Sequence, residues 1–348
     1  MLAGFAIAML LVTLVSTTFA WFSLNDNSWV DDFEIGIENT DQLLIGTSSS
    51  NMKQFLSNED LVSLINEKRA TDAKINGLGD IKLTPVTSID GEKFYRQVSV
   101  FDEKGKMSIE YKDALASSYI VFSLVFKVEP NGTQDEYTEH PDYELRFKTT
   151  GTTSTGLSKT NFSSEVQAIK LLNSLILKDG TSKESDDYIN VNPVNALRVA
   201  VKGASNSDVD YIYDVSNEND LGSYAIYEEL LNQLEIADDK FNCNKNAMFT
   251  YFNQLNNNSL KPLGYYSTET ELEEQKKNIQ GLLSRYKEDM NQSLGLFKYN
   301  KDTNEYNSLT VDIAIWIEGF DADNLIGLDT STIDCLLSFD IKESLNEG

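Results

Sequence analysis

The chain has 348 residues, 41% of them hydrophobic, which is enough to bury a sizeable core in one large or two modest domains. Fifty-five acidic residues against 29 basic ones leave a formal charge of −26. That balance excludes nucleic acid as a partner, because phosphate binding needs a cationic face, and it excludes charge-driven adsorption to anionic lipid; it reads as a solvated, self-repelling surface.

Residues 1–22, MLAGFAIAMLLVTLVSTTFAWF, carry no charged side chain. As a helix this run would measure about 33 Å, the thickness of a hydrocarbon core. Its hydroxyls, Thr13, Ser16, Thr17 and Thr18, can bond back to the preceding helical turn. Trp21 and Phe22 stand where an interfacial aromatic anchor belongs, and the first charges after them are acidic, which places the bulk of the protein outside the cell. Three readings are open. The stretch is a cleaved secretory signal with Thr18 and Ala20 as its small residues, a retained signal anchor, or a retained helix that packs against copies of itself in a fibre core. A signal normally opens with Lys or Arg, and none precedes this run; prepilin-like removal of a short basic leader would account for that. Retention is therefore expected, with residues 1–24 as a membrane or filament-core helix. Leu2, Phe5, Met9, Val12 and Phe19 would pack it, and Trp21 and Phe22 would close the junction with the globular part.

A β-rich domain is expected over residues 25–150. In VDDFEIGIE, Phe33, Ile35 and Ile37 fall on one face, and QLLIGTS follows a turn-prone Asn39-Thr40-Asp41, so residues 30–47 read as a hairpin. Residues 57–70 combine a capping Ser57, early acids and helically spaced apolar residues, the pattern of a short surface helix. FYRQVSVF reads as a strand. YIVFSLVFKVE, residues 119–129, is dense enough in β-branched and aromatic residues for a central strand covered on both faces. Pro130-Asn131-Gly132 is a turn signal before YELRFKT, whose Tyr143, Leu145 and Phe147 share a face. An antiparallel sheet accounts for these strands.

Residues 151–219 are read as a helix and strands continuing that domain. GTTSTGLS is a small, polar loop. Over residues 160–178, Val166, Ile169, Leu172, Leu175 and Ile176 form an apolar stripe, which predicts an amphipathic helix. VNALRVAVK and DVDYIYDVS are read as neighbouring strands. Residues 220–291 read as a helical insertion, its last helix opening on a Thr268/Glu271 capping box and running to residue 290. Residues 292–348 complete the β domain. Val311, Ile313, Ile315 and Ile317 alternate in one strand, and Ile333, Cys335, Leu337, Phe339 and Ile341 in the next, predicting a C-terminal hairpin or paired strands. The fold class is thus α+β: an apolar N-terminal helix, then an antiparallel, sandwich-like ectodomain with a helical insertion.

Signatures of chemistry are sparse. His140 is the only histidine, so several histidines cannot share a zinc ion within one chain. No HExxH, GxSxG, P-loop or dinucleotide glycine pattern occurs, and no cofactor or enzymatic activity is expected. Asp321, Asp323 and Asn324 offer hard oxygen ligands of the kind calcium takes, but the EF-hand spacing fails, since Ile326 stands where its glycine belongs; a turn in which Asp and Asn bond their own backbone is the simpler reading. Cys243 and Cys335 have no spacing pattern, although a disulfide between them is compatible with an extracellular setting. Asn131, Asn161, Asn257 and Asn291 each begin an N-x-Ser/Thr sequon.

The stretch TTFAWFSLNDNSWVDDFEIGIE, with NALRVAV and VDIAIWIEGFDAD far downstream, resembles a group of Gram-positive surface proteins with an apolar segment ending in AWF and an ectodomain ending in an IWIEG-type strand. An apolar segment leading through aromatics into a strand is also similar, more distantly, to camelysin-like fibre proteins, which implies a β-sandwich and assembly by strand lending. The apolar helix resembles a type IV pilin stalk, but Phe5 stands where those pilins carry glutamate, so the register of any such fibre would come from apolar packing, with Gly4 and Ala6 permitting close approach. The Gram-positive group implies no biochemical role; the apolar helix and the sparse signatures of chemistry lead to the expectation of a non-enzymatic, extracellular structural protein that polymerises with itself and contacts a membrane through residues 1–22 before assembly. The alternative is a membrane-anchored adhesin or binding module for a glycan or host protein.

Overall fold

The computed structural model describes residues 28–37, 43–88, 90–101, 107–130, 140–149, 159–171, 174–176, 181–203, 210–215, 286–287, 290–319, 321, 323 and 332–344. Strands dominate. The first half holds β1 (Ser28–Ile37), β2 (Leu43–Ser48), β3 (Asn51–Lys53), β4 (Lys82–Leu83), β5 (Tyr95–Phe101), β6 (Met107–Asp113), β7 (Ile120–Val128), β8 (Tyr143–Phe147), β9 (Asn161–Ser164) and β10 (Gln167–Lys170). After them come β11 (Leu175–Ile176), β12 (Ser182–Lys183), β13 (Tyr188–Val191), β14 (Leu197–Gly203), β15 (Asp210–Asp214), β16 (Tyr286–Lys287), β17 (Ser293–Phe297), β18 (Tyr299–Asn300), β19 (Glu305–Tyr306), β20 (Leu309–Ile317) and β21 (Thr332–Glu343). Among the described residues the one α-helix is α1 (Asn58–Lys68).

Two sheets share one core. The first runs β17-β8-β21-β1-β4, with β9 also on β21; the second runs β16-β15-β14-β20-β7-β2-β3. Pairing is antiparallel except between β1 and β21 and between β15 and β16. Alternation drives this arrangement: each strand turns one apolar face inward, and stacking the two sheets removes both faces from water. Ring contacts bridge the layers, Phe33 against Phe122 at 5.8 Å and Phe126 against Phe339 at 4.8 Å between centroids. Along β7 the inward residues Ile120, Phe122, Leu124, Phe126 and Val128 are fully buried while the outward ones are half-buried. The expected central strand is present, but its outer face is only partly covered.

Helix α1 forms for the reasons its sequence gives. Ser57 caps it, its hydroxyl accepting from the Asp60 amide at 3.3 Å while its own amide donates to Asp60 Oδ2 at 2.9 Å. Leu61, Leu64 and Ile65 are buried in the shared core. Strands β14 and β15 pair antiparallel as neighbours, with Val199 opposite Tyr213.

Several expectations are corrected. Residues 30–47 are not a hairpin: β1 lies in one sheet and β2 in the other. The same holds for the C-terminal pair β20 and β21; β7 and β8, on either side of the Pro130 turn signal and expected in one antiparallel sheet, also lie in different sheets. A period of two identifies a strand and its apolar face, but a hairpin within one sheet and an arch across two sheets leave the same pattern. Among the described residues of 160–178 the expected amphipathic helix is absent; β9, β10 and β11 lie there instead. Val166, which the helical stripe would bury, is 60% exposed, whereas Ile169 faces Ile189 across β10–β13 and Leu171 is buried. Partners from distant strands outweigh a helical spacing carried by β-branched residues. Cys335 is a free thiol buried between the sheets; Cys243 lies outside the described residues. Most of the expected helical insertion also lies outside them, but its end is strand, since Tyr286–Lys287 forms β16 beside β15.

Candidate functional site

The assembly residues Leu2, Phe5, Met9, Val12, Phe19, Trp21 and Phe22 lie outside the described residues. What the structure gives is the seat of the strand that follows them. Ser28 begins β1, which runs parallel to β21 with Trp29 beside Thr332 and Ile37 beside Phe339; a bulge shifts the register between Val30 and Phe33. On its other edge Ser28 and Trp29 pair with Leu83 and Lys82, and the Leu56 amide donates to the Ile35 carbonyl at 3.4 Å. Val30, Phe33, Ile35 and Ile37 are all buried, so β1 is an inner strand held on both edges and by its core face. Among the described residues no helix is long and apolar enough to cross a membrane.

A second concentration of function-bearing groups sits on the outer face of the second sheet. Cross-strand register arranges that face in rows: Asp214, Arg198 and Trp316; Ile212, Ala200, Ala314 and Val121; Asp210, Lys202, Asp312 and Ser123. Val86, Phe94, Ala114 and Tyr119 cover the Trp316 end, with Phe94 stacked on Tyr119 at 4.0 Å and edge-on to Trp316 at 5.4 Å. Gly91 brings this cover down onto the sheet. Its φ is +66°, and a Cβ built there would stand 2.3 Å from Ala200 Cβ, so glycine is required both by the backbone and by the contact.

Beneath the cover lies a buried ion pair that sequence reasoning missed. Arg198 is 1% exposed; its Nη2 donates to Asp321 Oδ2 at 2.8 Å, and its Nη1 donates to the carbonyls of Asn195 and Leu197 and forms a second ion pair with Asp214 Oδ1 at 3.2 Å. Asp321 Oδ1 accepts from the Asp323 amide and Asp323 Oδ1 from the Asn192 amide, both at 2.9 Å. Glu318, also buried, accepts from Trp316 Nε1 at 3.3 Å. Burial, with the Glu318 charge second, pushes the Tyr111 phenol above its ordinary range. Asp321 and Asp323 thus accept hydrogen bonds from donors of the chain, and Asn324 lies outside the described residues. Among the described residues no three His, Cys, Asp or Glu side chains gather as a metal site. The available signal was Arg198 itself, a lone cation in the apolar run NALRVAV.

Where the cover ends, a depression of about 280 Å³ opens over Val121, Ala200 and Ala314, rimmed by Lys68, Asp90, Glu92, Lys202, Asp210 and Asp312. Lys202 is paired with Glu92, and Lys68 stands 4.0 Å from Asp312. His140, which does not line the depression, stacks on Tyr299 at 3.9 Å beside Tyr306. The sequons at Asn161 and Asn291 are exposed, and those at Asn131 and Asn257 lie outside the described residues. Neither a protein-family model, nor a curated protein, nor a solved structure matches this chain.

Proposed function

We propose that this chain is a non-enzymatic structural protein of the cell surface, a pilin-like filament subunit whose β-rich ectodomain is carried and assembled by an apolar helix over residues 1–24. The observation that supports it most is the seat of β1. Only residues 23–27 separate Phe22 from a strand locked into the first sheet, so the apolar stretch joins a packed body with little intervening linker. Burial energetics supply the drive: roughly 20 mostly apolar residues, at about 1 to 2 kcal/mol each, cannot stay in water and must enter lipid or pack against copies of themselves. A chain of −26 repels its own copies, so cohesion falls to Leu2, Phe5, Met9, Val12 and Phe19. On this reading the protein is extracellular, contacts the membrane before assembly and binds no nucleic acid.

The test is intact-mass spectrometry of protein sheared from native cells, free of lipid and detergent. A mass that includes residues 1–22 in such particles is expected; a mass beginning at Trp21 would defeat the helical-core reading. The depression over Ala200 and Ala314 favours a second reading, a membrane-anchored adhesin or binding module. Removal of residues 1–22 in the native host separates the two: a filament subunit loses its fibres, and an adhesin still binds its target as released protein.

A further inference from the structure

We propose that the first and last strands form a load-bearing clamp, in which a pull on the chain ahead of Ser28, opposed at the far end of β21, strains the β1–β21 ladder along its length. The geometry rests on the parallel register. Trp29 lies beside Thr332 and Ile37 beside Phe339, so the chain reaches β1 at the end where β21 starts. Strand β21 runs on to Glu343 at the opposite end, a span of about 36 Å at the usual strand rise. Forces applied at these two places point apart along adjacent strands. All five consecutive pairs from Phe33–Cys335 to Ile37–Phe339 then carry load together, whereas a pull from one end would break them in turn.

Two further features fix β1 against sliding, and a third fixes its partner β21. Its other edge is held by Lys82 and Leu83, by the Val30 amide on the Ile81 carbonyl, and by the Leu56 amide on the Ile35 carbonyl. A slip of one residue would turn Val30, Phe33, Ile35 and Ile37 away from the core, so no neighbouring register offers a resting place. Strand β21 is itself bound along its opposite edge, by β9 over residues 333–336 and by β8 over residues 339–343. The load therefore ends in the body of the sheet. The clamp rests on the proposed function only for its fixed end, the apolar segment.

The experiment is single-molecule pulling of the full chain in detergent micelles, with one handle at the N-terminus and the other either at the C-terminus or on a ligation tag inserted after Ser331. The first pair loads the ladder lengthwise and is expected to rupture at a force several-fold higher than the second, which opens it from one end. Equal forces would overturn the clamp. A disulfide between Glu34→Cys and Leu336→Cys, partners that face away from the core, should abolish the high-force release until reductant is added. If the high-force event persists in the oxidised protein, the ladder is not what bears the load. Failure of the anchor reading would appear instead as native protein lacking residues 1–22, and would leave the measured forces unchanged.

Discussion

Arg198 and Asp321 form an ion pair at 2.8 Å with both side chains essentially out of water, at 1% and 0% exposure. Removing one partner of such a pair strands the other, and the usual cost is about 3 to 5 kcal/mol. Arg198→Met should therefore lower unfolding stability by about that amount in urea titration, and Asp321→Leu by a similar one. The double variant should lose less than the sum of the two, since neither charge is then left alone. Additive losses would show that the two residues act separately.

Gly91 is expected to tolerate no side chain. Gly91→Ala brings its Cβ against Ala200 and places an L-residue at positive φ, and overpacking of this kind costs about 1 to 3 kcal/mol. Pairing it with Ala200→Gly should recover the steric part and leave the backbone part. Equal stability of the wild type and Gly91→Ala in urea would mean that the cover does not sit tightly on the sheet.

Acid should loosen helix α1 through one carboxylate. The Lys53 ammonium, 2.7 Å away, together with the Ser57 amide and hydroxyl, holds the Asp60 carboxyl below its ordinary value of 3.8. A group depressed in the fold contributes stability that is present above its unfolded value and is lost as the pH falls through its folded value. Hydrogen exchange at Leu64 and Ile65 should accelerate as the pH drops below about 3.8, after correction for intrinsic rates, and Asp60→Asn should remove that step.

Cys335 should be chemically silent in the native state. Its thiol is buried between the sheets, and desolvation pushes its ionisation well above the ordinary thiol range. Alkylation mapped by peptide mass is expected to modify Cys335 only in denaturant. Rapid modification in buffer would show that the layers part locally. Cys335→Ser should destabilise more than Cys335→Ala, because it buries a hydroxyl.

Local features were legible in the sequence wherever a short pattern decides them. Ser57 and its acids announced α1, and the alternation of Val311, Ile313, Ile315 and Ile317 announced an inward face that is fully buried or nearly so. Partner choice was not legible. Phe33 and Ile35 show a strand and its face, but nothing near them says that the neighbour is Cys335 to Leu337. Residues 160–178 failed for a related reason: Val166 and Ile169 are spaced as a helix would space them, while the deciding partners lie on β13 and β21. Around Asp321 the acids were visible in one short stretch, and the cation that answers them is 123 residues away.

The meeting of β1 with β21 also governs the order in which the molecule can form. Trp29 and Thr332 are about 300 residues apart, so the first sheet cannot close until nearly the whole chain is present. Pairings of such separation fold slowly, because the loop between them must be closed before any contact rewards it. A chain emerging from its N-terminal end would meet β7, which seats Phe122 against Phe33, by residue 128, but would hold the edge of β1 that β21 pairs without its partner until the last strand arrived. Its biogenesis therefore calls for something to shield that edge in the interval, and a nascent chain stopped short of residue 339 should be sticky and sensitive to protease.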